Sequence, residues 1–158
     1  MAYHIKDAIQ VKGLKIKTTA HNEMTTLGKI GPLWDHFMTE ILPQLEEDCQ
    51  LYGVCHYRNS NTHNDLDFVL GAKVEDMDKQ PIQTAHELTS ITIEAGGFLS
   101  FAAMGEHRPS VMRAWQQAHQ FFNEEGCLYA RTYKTDYVHY IDTHMATLYV
   151  SAIKKTAE

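Results

Sequence analysis

Two hydrophobic periods alternate along this chain, and the pair of them occurs twice. From Val11 to Ala20, Leu14, Ile16 and Thr18 alternate with Lys15, Lys17 and Thr19, the period of a strand with one buried face. A polar turn, His21 to Thr26, follows. Between Ile30 and Asp48 the period changes: Ile30, Leu33, Trp34, Phe37, Met38, Ile41 and Leu45 form the stripe of an amphipathic helix. Pro43, with no N–H to donate, should kink that helix or begin a second one. Tyr52 to Tyr57 and Leu66 to Val74 read as strands on either side of the turn-rich stretch Arg58 to Asp65. The polar segment Glu75 to Pro81 makes a seam.

Beyond the seam the order returns. Thr89 to Ile93 is β-rich and leads through Glu94-Ala95-Gly96-Gly97 to a strand, Phe98 to Ala103. A helix is predicted from about Arg108, with Pro109 in its first turn, apolar Val111, Ala114, Trp115, Ala118, Phe121 and Phe122, and Gly126 as the C-terminal breaker. Strand patterns follow at Leu128 to Tyr133, Tyr137 to Ile141 and Thr147 to Lys154. Trp34 and Trp115 lie about eighty residues apart, and one offset aligns their helical neighbours. Leu66 to Lys73 recurs in weaker form as Ala146 to Ile153. The expectation is a single α+β domain, residues 1–158, of tandem β-α-β-β repeats over about 10–75 and 88–155. A duplicated fold of this kind has a groove between its halves, where a small molecule fits.

Charge narrows the choice of partner. A net charge of −6 offers no basic stripe for phosphates, so nucleic acid is not expected as a direct partner. No apolar run is long enough to span a bilayer, and the N-terminus has no signal-peptide core. Three cysteines, Cys49, Cys55 and Cys127, form an odd set without CxxC, which fits a reducing cytoplasm.

Motifs for chemistry are missing: there is no GxSxG, P-loop, GxGxxG after a strand, or HExxH. Among the histidines, His139 with His144, or His56 with His63, would have to converge to bind metal; neither pair has ligand spacing on one helix. Cys55 and Cys127 carry no signal of a lowered thiol pKa. No catalytic residue, metal or cofactor is therefore assigned. The aromatic residues say more. Tyr52, Tyr57, Tyr129, Tyr133, Tyr137, Tyr140 and Tyr149 crowd the strands, with Asp136 among them. In an extended strand Asp136, Val138 and Tyr140 share one face, and Tyr137 and His139 the other. An acid in an aromatic cleft holds lipophilic cations; equally, such tyrosines pack sheet faces with their hydroxyls in water.

Gly13 to Thr19 followed by Lys29 to Phe37 resembles the opening of GyrI-like small-molecule-binding domains, in their bacterial, integron cassette-associated effector-binding branch. The resemblance continues through Tyr52-Gly53-Val54, Leu70 to Val74, Ile93 to Phe101 and Arg131 to Asp142. It implies pseudo-twofold symmetry, with an antiparallel sheet carrying both helices on one face. It also implies kinship to the effector domains of multidrug-responsive transcription regulators, whose inter-repeat cleft takes lipophilic aromatic cations. The chain has no room for a helix-turn-helix domain beside the repeats, so a stand-alone binding module is expected. The ligand residues so implied are Tyr52, Tyr57, Trp115, Tyr133, Asp136, Val138, Tyr140 and Tyr149. Val138 stands where the family usually carries a glutamate, which weakens the case for a cation and for the hydrolase activity of some members. Two alternatives stay open: a small hydrolase of lipophilic electrophiles, with Asp136 or a histidine as base, and a modulator of a protein partner. A homodimer is compatible with either.

Overall fold

The computed structural model describes residues 1–26, 28–58 and 64–156. In chain order these form β1 (Ala2–Lys6), β2 (Ile9–Thr19), α1 (Ala20–Glu23), α2 (Ile30–Glu40), β3 (Leu51–Tyr57), β4 (Asp65–Lys73) and α3 (Val74–Met77). Then come β5 (Thr89–Ile93), β6 (Gly96–Met104), α4 (His107–Asn123), β7 (Tyr129–Arg131), β8 (Thr135–Tyr140) and β9 (Met145–Lys154). All pairings are antiparallel, and the strands run in the order β1-β6-β9-β8-β3-β4-β2-β5, with β7 joined to β9. That order is a palindrome in fold terms. Around the central β3–β8 pair, β4, β2 and β5 on one side answer β9, β6 and β1 on the other.

The outermost strands are exchanged between the halves. β1 precedes β2 in the chain but pairs with β6, whereas β5 precedes β6 but pairs with β2. The expected unit β-α-β-β thus gains a leading strand in each half. β1 escapes the hydrophobic pattern because it is an edge strand, with Ile5 exposed and only His4 and Lys6 partly shielded.

Both long helices pack on one face of the sheet, as the tandem reading expects. Phe37 and Ile41 from the first half meet Ala114 and Ala118 of α4 in one core with Leu70, Phe101, Val138, Leu148 and Val150. A small residue lets the N-terminal ends of α2 and α4 meet. Gly31 in α2 has no Cβ to clash with the Arg108 guanidinium; a Cβ there would sit 2.1 Å from its Nη2. The start of α2 is capped from outside, because Glu23 accepts hydrogen bonds from the N–H groups of Lys29 (2.9 Å) and Ile30 (3.0 Å). These are donors that a helix leaves unsatisfied, at its positive end.

Three expected elements are revised. The helix predicted to Asp48 ends at Glu40, and Pro43 sits in a separate 3-10 turn, Leu42–Gln44. The strand expected over Leu128 to Tyr133 is only Tyr129–Arg131, because Tyr133 turns the chain with φ of 53°. The polar seam holds α3 at its start. A second, smaller core lies on the helix-free face and contains Val11, Tyr52, Val54, Val69, Ile93, Phe98 and Tyr137. Among the described residues no helix is long and apolar enough to cross a membrane.

Candidate functional site

The site grows from one irregularity in the sheet. β9 pairs with β8 as far as Tyr137–Tyr149 and then with β7 from Arg131–Ala152, so it changes partner within three residues. Asp136 sits at that fork, fully buried. Its Oδ1 accepts from the Ser151 N–H (2.8 Å) and the Ser151 hydroxyl (2.9 Å). Its Oδ2 accepts from the Tyr57 hydroxyl (2.7 Å) and from Arg131 Nη2 (2.7 Å). The turn at Tyr133 folds Arg131 back over the strand that follows it.

Arg131 is the centre of an aromatic cage. Its guanidinium carbon lies 4.2 Å from the Tyr133 ring centroid, 5.5 Å from Trp115 and 5.7 Å from Tyr57. Nη2 also donates to the Tyr57 oxygen at 2.8 Å. Burial works against the guanidinium's charge, but the Asp136 carboxylate outweighs it and the pKa is raised. Burial, followed by the same carboxylate, raises the Tyr57 hydroxyl far above its ordinary value. Arg131 Nε is buried and has no hydrogen-bond partner. The cage thus holds a permanent cation with one donor still unmet.

A second aromatic group lies at the other end of the β3–β8 pair. Tyr140 meets Trp34 edge to face at 4.8 Å and His107 at 4.9 Å, where the N-terminal ends of α2 and α4 converge. Val138 lies between the two ends, buried and paired across the sheet with Gly53. Gly53 leaves room for the Phe68 ring, which a Cβ would meet at 2.9 Å.

Of the residues expected to line one cleft, the structure gathers Tyr57, Trp115, Tyr133 and Asp136 around Arg131. It sets Val138 and Tyr140 on the same face of the sheet. Tyr52 and Tyr149 are a correction. Both belong to the opposite face, where Tyr149 stacks on Tyr137 at 4.8 Å and Tyr52 stacks on His139 at 4.6 Å. In β3, Tyr52 is out of phase with Gly53, Cys55 and Tyr57, so its side chain leaves by the other side. Arg131, Trp34 and His107 went unassigned in the sequence, because nothing local marks which arginine will turn back onto a carboxylate.

Other candidates separate from the cage. The Cys55 thiol is pushed up to about 12, first by burial and then by Asp136, which leaves it inert as a nucleophile. His139 bonds Gln50 at 2.6 Å, and the His144 ring bonds Thr143 at 2.9 Å. His56 lines an open concavity of about 410 Å³ on the helix-free face with Lys15, Asp67 and Ile91. A smaller one, about 220 Å³, is lined by charges of both signs, including Glu46, Asp76, Lys73 and Lys79. Neither concavity includes the aromatic cage. His63 lies outside the described residues.

Known structures share this architecture. An integron cassette protein from the mobile metagenome of Vibrio cholerae, VCH_CASS2, superposes with a TM-score of 0.81 at 23% identity, covering 96% of this chain and 95% of that one. A putative bacterial transcription regulation protein from Staphylococcus aureus MU50 gives a TM-score of 0.72 at 10% identity, covering 96% of each chain. SAV2435, solved bound to tetraphenylphosphonium, gives 0.66 at 10% identity, covering 96% of this chain and 93% of that one. At these identities the likeness is one of fold. A search of curated protein sequences finds no match. The sequence model of one family does match, over residues 5–151, which takes in Asp136, the aromatic cage and both tryptophan helices. This chain belongs to Cass2, the integron-associated effector binding proteins.

Proposed function

We propose that this chain is a small-molecule effector-binding protein, one domain of two repeats (about 10–75 and 88–155), acting without chemistry of its own. Its ligand site is the helix-bearing face over β3 and β8, between Trp34 and Trp115. The observation that carries the reading is the aromatic cage of Tyr57, Tyr133 and Trp115 closed over the Arg131–Asp136 pair at 2.7 Å. Such a cage favours aromatic, lipophilic guests. The tetraphenylphosphonium bound to SAV2435 supports the general class of guest.

The charge of the guest is a separate matter. Arg131 already fills the position a cationic ligand would seek, and freeing Asp136 by removing its partner costs about 3–5 kcal/mol. Val138 supplies no second carboxylate. Arg131 Nε, buried and unpartnered, instead asks for an acceptor. The preferred ligand is therefore aromatic and neutral or anionic, with a carbonyl-like oxygen directed at Arg131. With both Asp136 oxygens engaged by four donors, that carboxylate is poorly placed as a hydrolytic base.

Two probes of similar shape test this. Triphenylphosphine oxide is neutral and carries an acceptor oxygen; tetraphenylphosphonium is a cation without one. Titrated against tryptophan fluorescence, the oxide should bind more tightly, and Trp115→Ala should weaken it. Tighter binding of the phosphonium would overturn the ligand class, and indifference of both probes to Trp115→Ala would overturn the site.

A further inference from the structure

A cluster on the far side of α2 has no part in the cage. His36 and Glu40 are one helical turn apart on α2, so their side chains rise from the same face. His86, from the connection between α3 and β5, comes down on them. His36 Nε2 is 2.5 Å from Glu40 Oε2, and His86 Nε2 is 4.0 Å from the same oxygen. All three ligand atoms lie within 4.8 Å of one another. We propose that His36, Glu40 and His86 form a binding site for a first-row divalent metal ion, zinc above all.

Three features separate this cluster from an ordinary surface ion pair. The first is direction. His36 Nε2 is screened from solvent and, despite the short approach to Glu40, has no hydrogen-bond partner. A screened imidazole nitrogen with no hydrogen bond, set beside a carboxylate oxygen, is available to ligate an ion. The two imidazoles also stand edge to face at 4.4 Å between ring centroids.

The second is support from the surroundings. The other Glu40 oxygen accepts from the Thr84 hydroxyl, and the His86 N–H donates back to Thr84 Oγ1 at 3.1 Å. Gln44 clasps the same connection, donating from Nε2 to the Gln83 carbonyl and accepting from the Gln83 N–H, both at 2.8 Å. The segment carrying His86 is thus held in place by contacts that owe nothing to a metal. Outer contacts that fix a ligating carboxylate are part of what makes a metal site strong.

The third is donor chemistry. Two imidazole nitrogens and one carboxylate oxygen match zinc and its neighbours, and do not match magnesium or calcium, which want oxygen. The side chains are partly exposed, 43% for His36, 26% for Glu40 and 53% for His86, so the ion would keep an outer position for water. Bound there, it would tie the connection between the two halves to the helix that carries Trp34.

The test uses the full chain, stripped with chelator and titrated with zinc by calorimetry and by thermal melting. One zinc per chain is expected, with a melting temperature that rises as zinc is added. His86 is exposed in a connection, so His86→Ala should fold normally and bind at least about 100-fold more weakly, with Thr84→Ala weaker by about 10-fold, the range for outer contacts. Absence of stoichiometric binding in the native chain would overturn the proposal. So would zinc affinity unchanged within about threefold in both His86→Ala and His36→Ala, since the metal would then sit on other histidines.

Discussion

Replacing Arg131 by methionine keeps an unbranched apolar stem in its place and removes the charge. In the native chain the guanidinium is 12% exposed and Asp136 is 0% exposed, so the pair is one that solvent hardly screens. Removing one member of such a pair costs about 3–5 kcal/mol. Asp136 keeps three of its four donors in the variant, the Tyr57 hydroxyl and both groups of Ser151, which places the loss near the lower end, about 3 kcal/mol. For a domain of this size that is a drop of about 6–12 °C in Tm. Asp136→Asn should cost a similar amount, because it strands the guanidinium. The double variant Arg131→Met/Asp136→Asn should lose far less than the sum of the two, since no buried charge is left alone. Urea melts of the four proteins, compared at constant m, measure the coupling directly. Losses below about 1 kcal/mol in both single variants, or simple additivity, would refute the picture of a buried, mutually dependent pair. Binding provides a second reading: Arg131→Met should gain affinity for tetraphenylphosphonium as the cage and its carboxylate become vacant.

The remaining predictions concern the frame and its pH response. Gly13 and Gly71 face each other across β2 and β4, and a Cβ on Gly71 would lie 1.9 Å from the Lys12 carbonyl oxygen. That obstacle is backbone and cannot swing away, so Gly71→Ala should destabilise by about 1–3 kcal/mol or more in denaturant melts; a neutral result would show that the strands separate freely. Burial, and then Arg131, lowers the pKa of His119. Between the folded value and the unfolded one near 6.5 the unfolded chain binds more protons, so stability is full above about pH 6.5 and declines as pH falls below it. His119→Gln should flatten the pH dependence of stability between about pH 7 and pH 5, and an unchanged slope would remove His119 as its source.

The helices that carry Trp34 and Trp115 were legible because each presents a stripe at helical spacing, and the stripe fixes the face that meets the sheet. The alternation in β8 likewise sorted Val138 and Tyr140 from Tyr137. Applied to β3, the same period separates Tyr52 from Tyr57, which stand five residues apart in one strand. Placing Tyr52 in one cleft with Tyr57 ignored that parity. β1 was illegible for a different reason: an exposed edge strand has no buried face to impose a pattern. Arg131 was out of reach altogether. Its role depends on the fork in β9 and on a left-handed turn at Tyr133, and neither leaves a periodic trace.

The exchange of outer strands has a mechanical consequence. Parting the two halves would break three backbone ladders at once: six residue pairs between β3 and β8, five between β1 and β6, and five between β2 and β5. Each outer strand acts as a strap fastened to the opposite half, so the floor of the proposed site would stay closed as a guest entered or left. Admission must then take place from above, by rotation of Arg131 and its aromatic neighbours or by a shift of α2 against α4. Both movements leave the sheet untouched. A guest at the proposed site would accordingly register as a change in the helix layer and in the environment of the two tryptophans, while the amide protons of β3 and β8 would remain as protected as before.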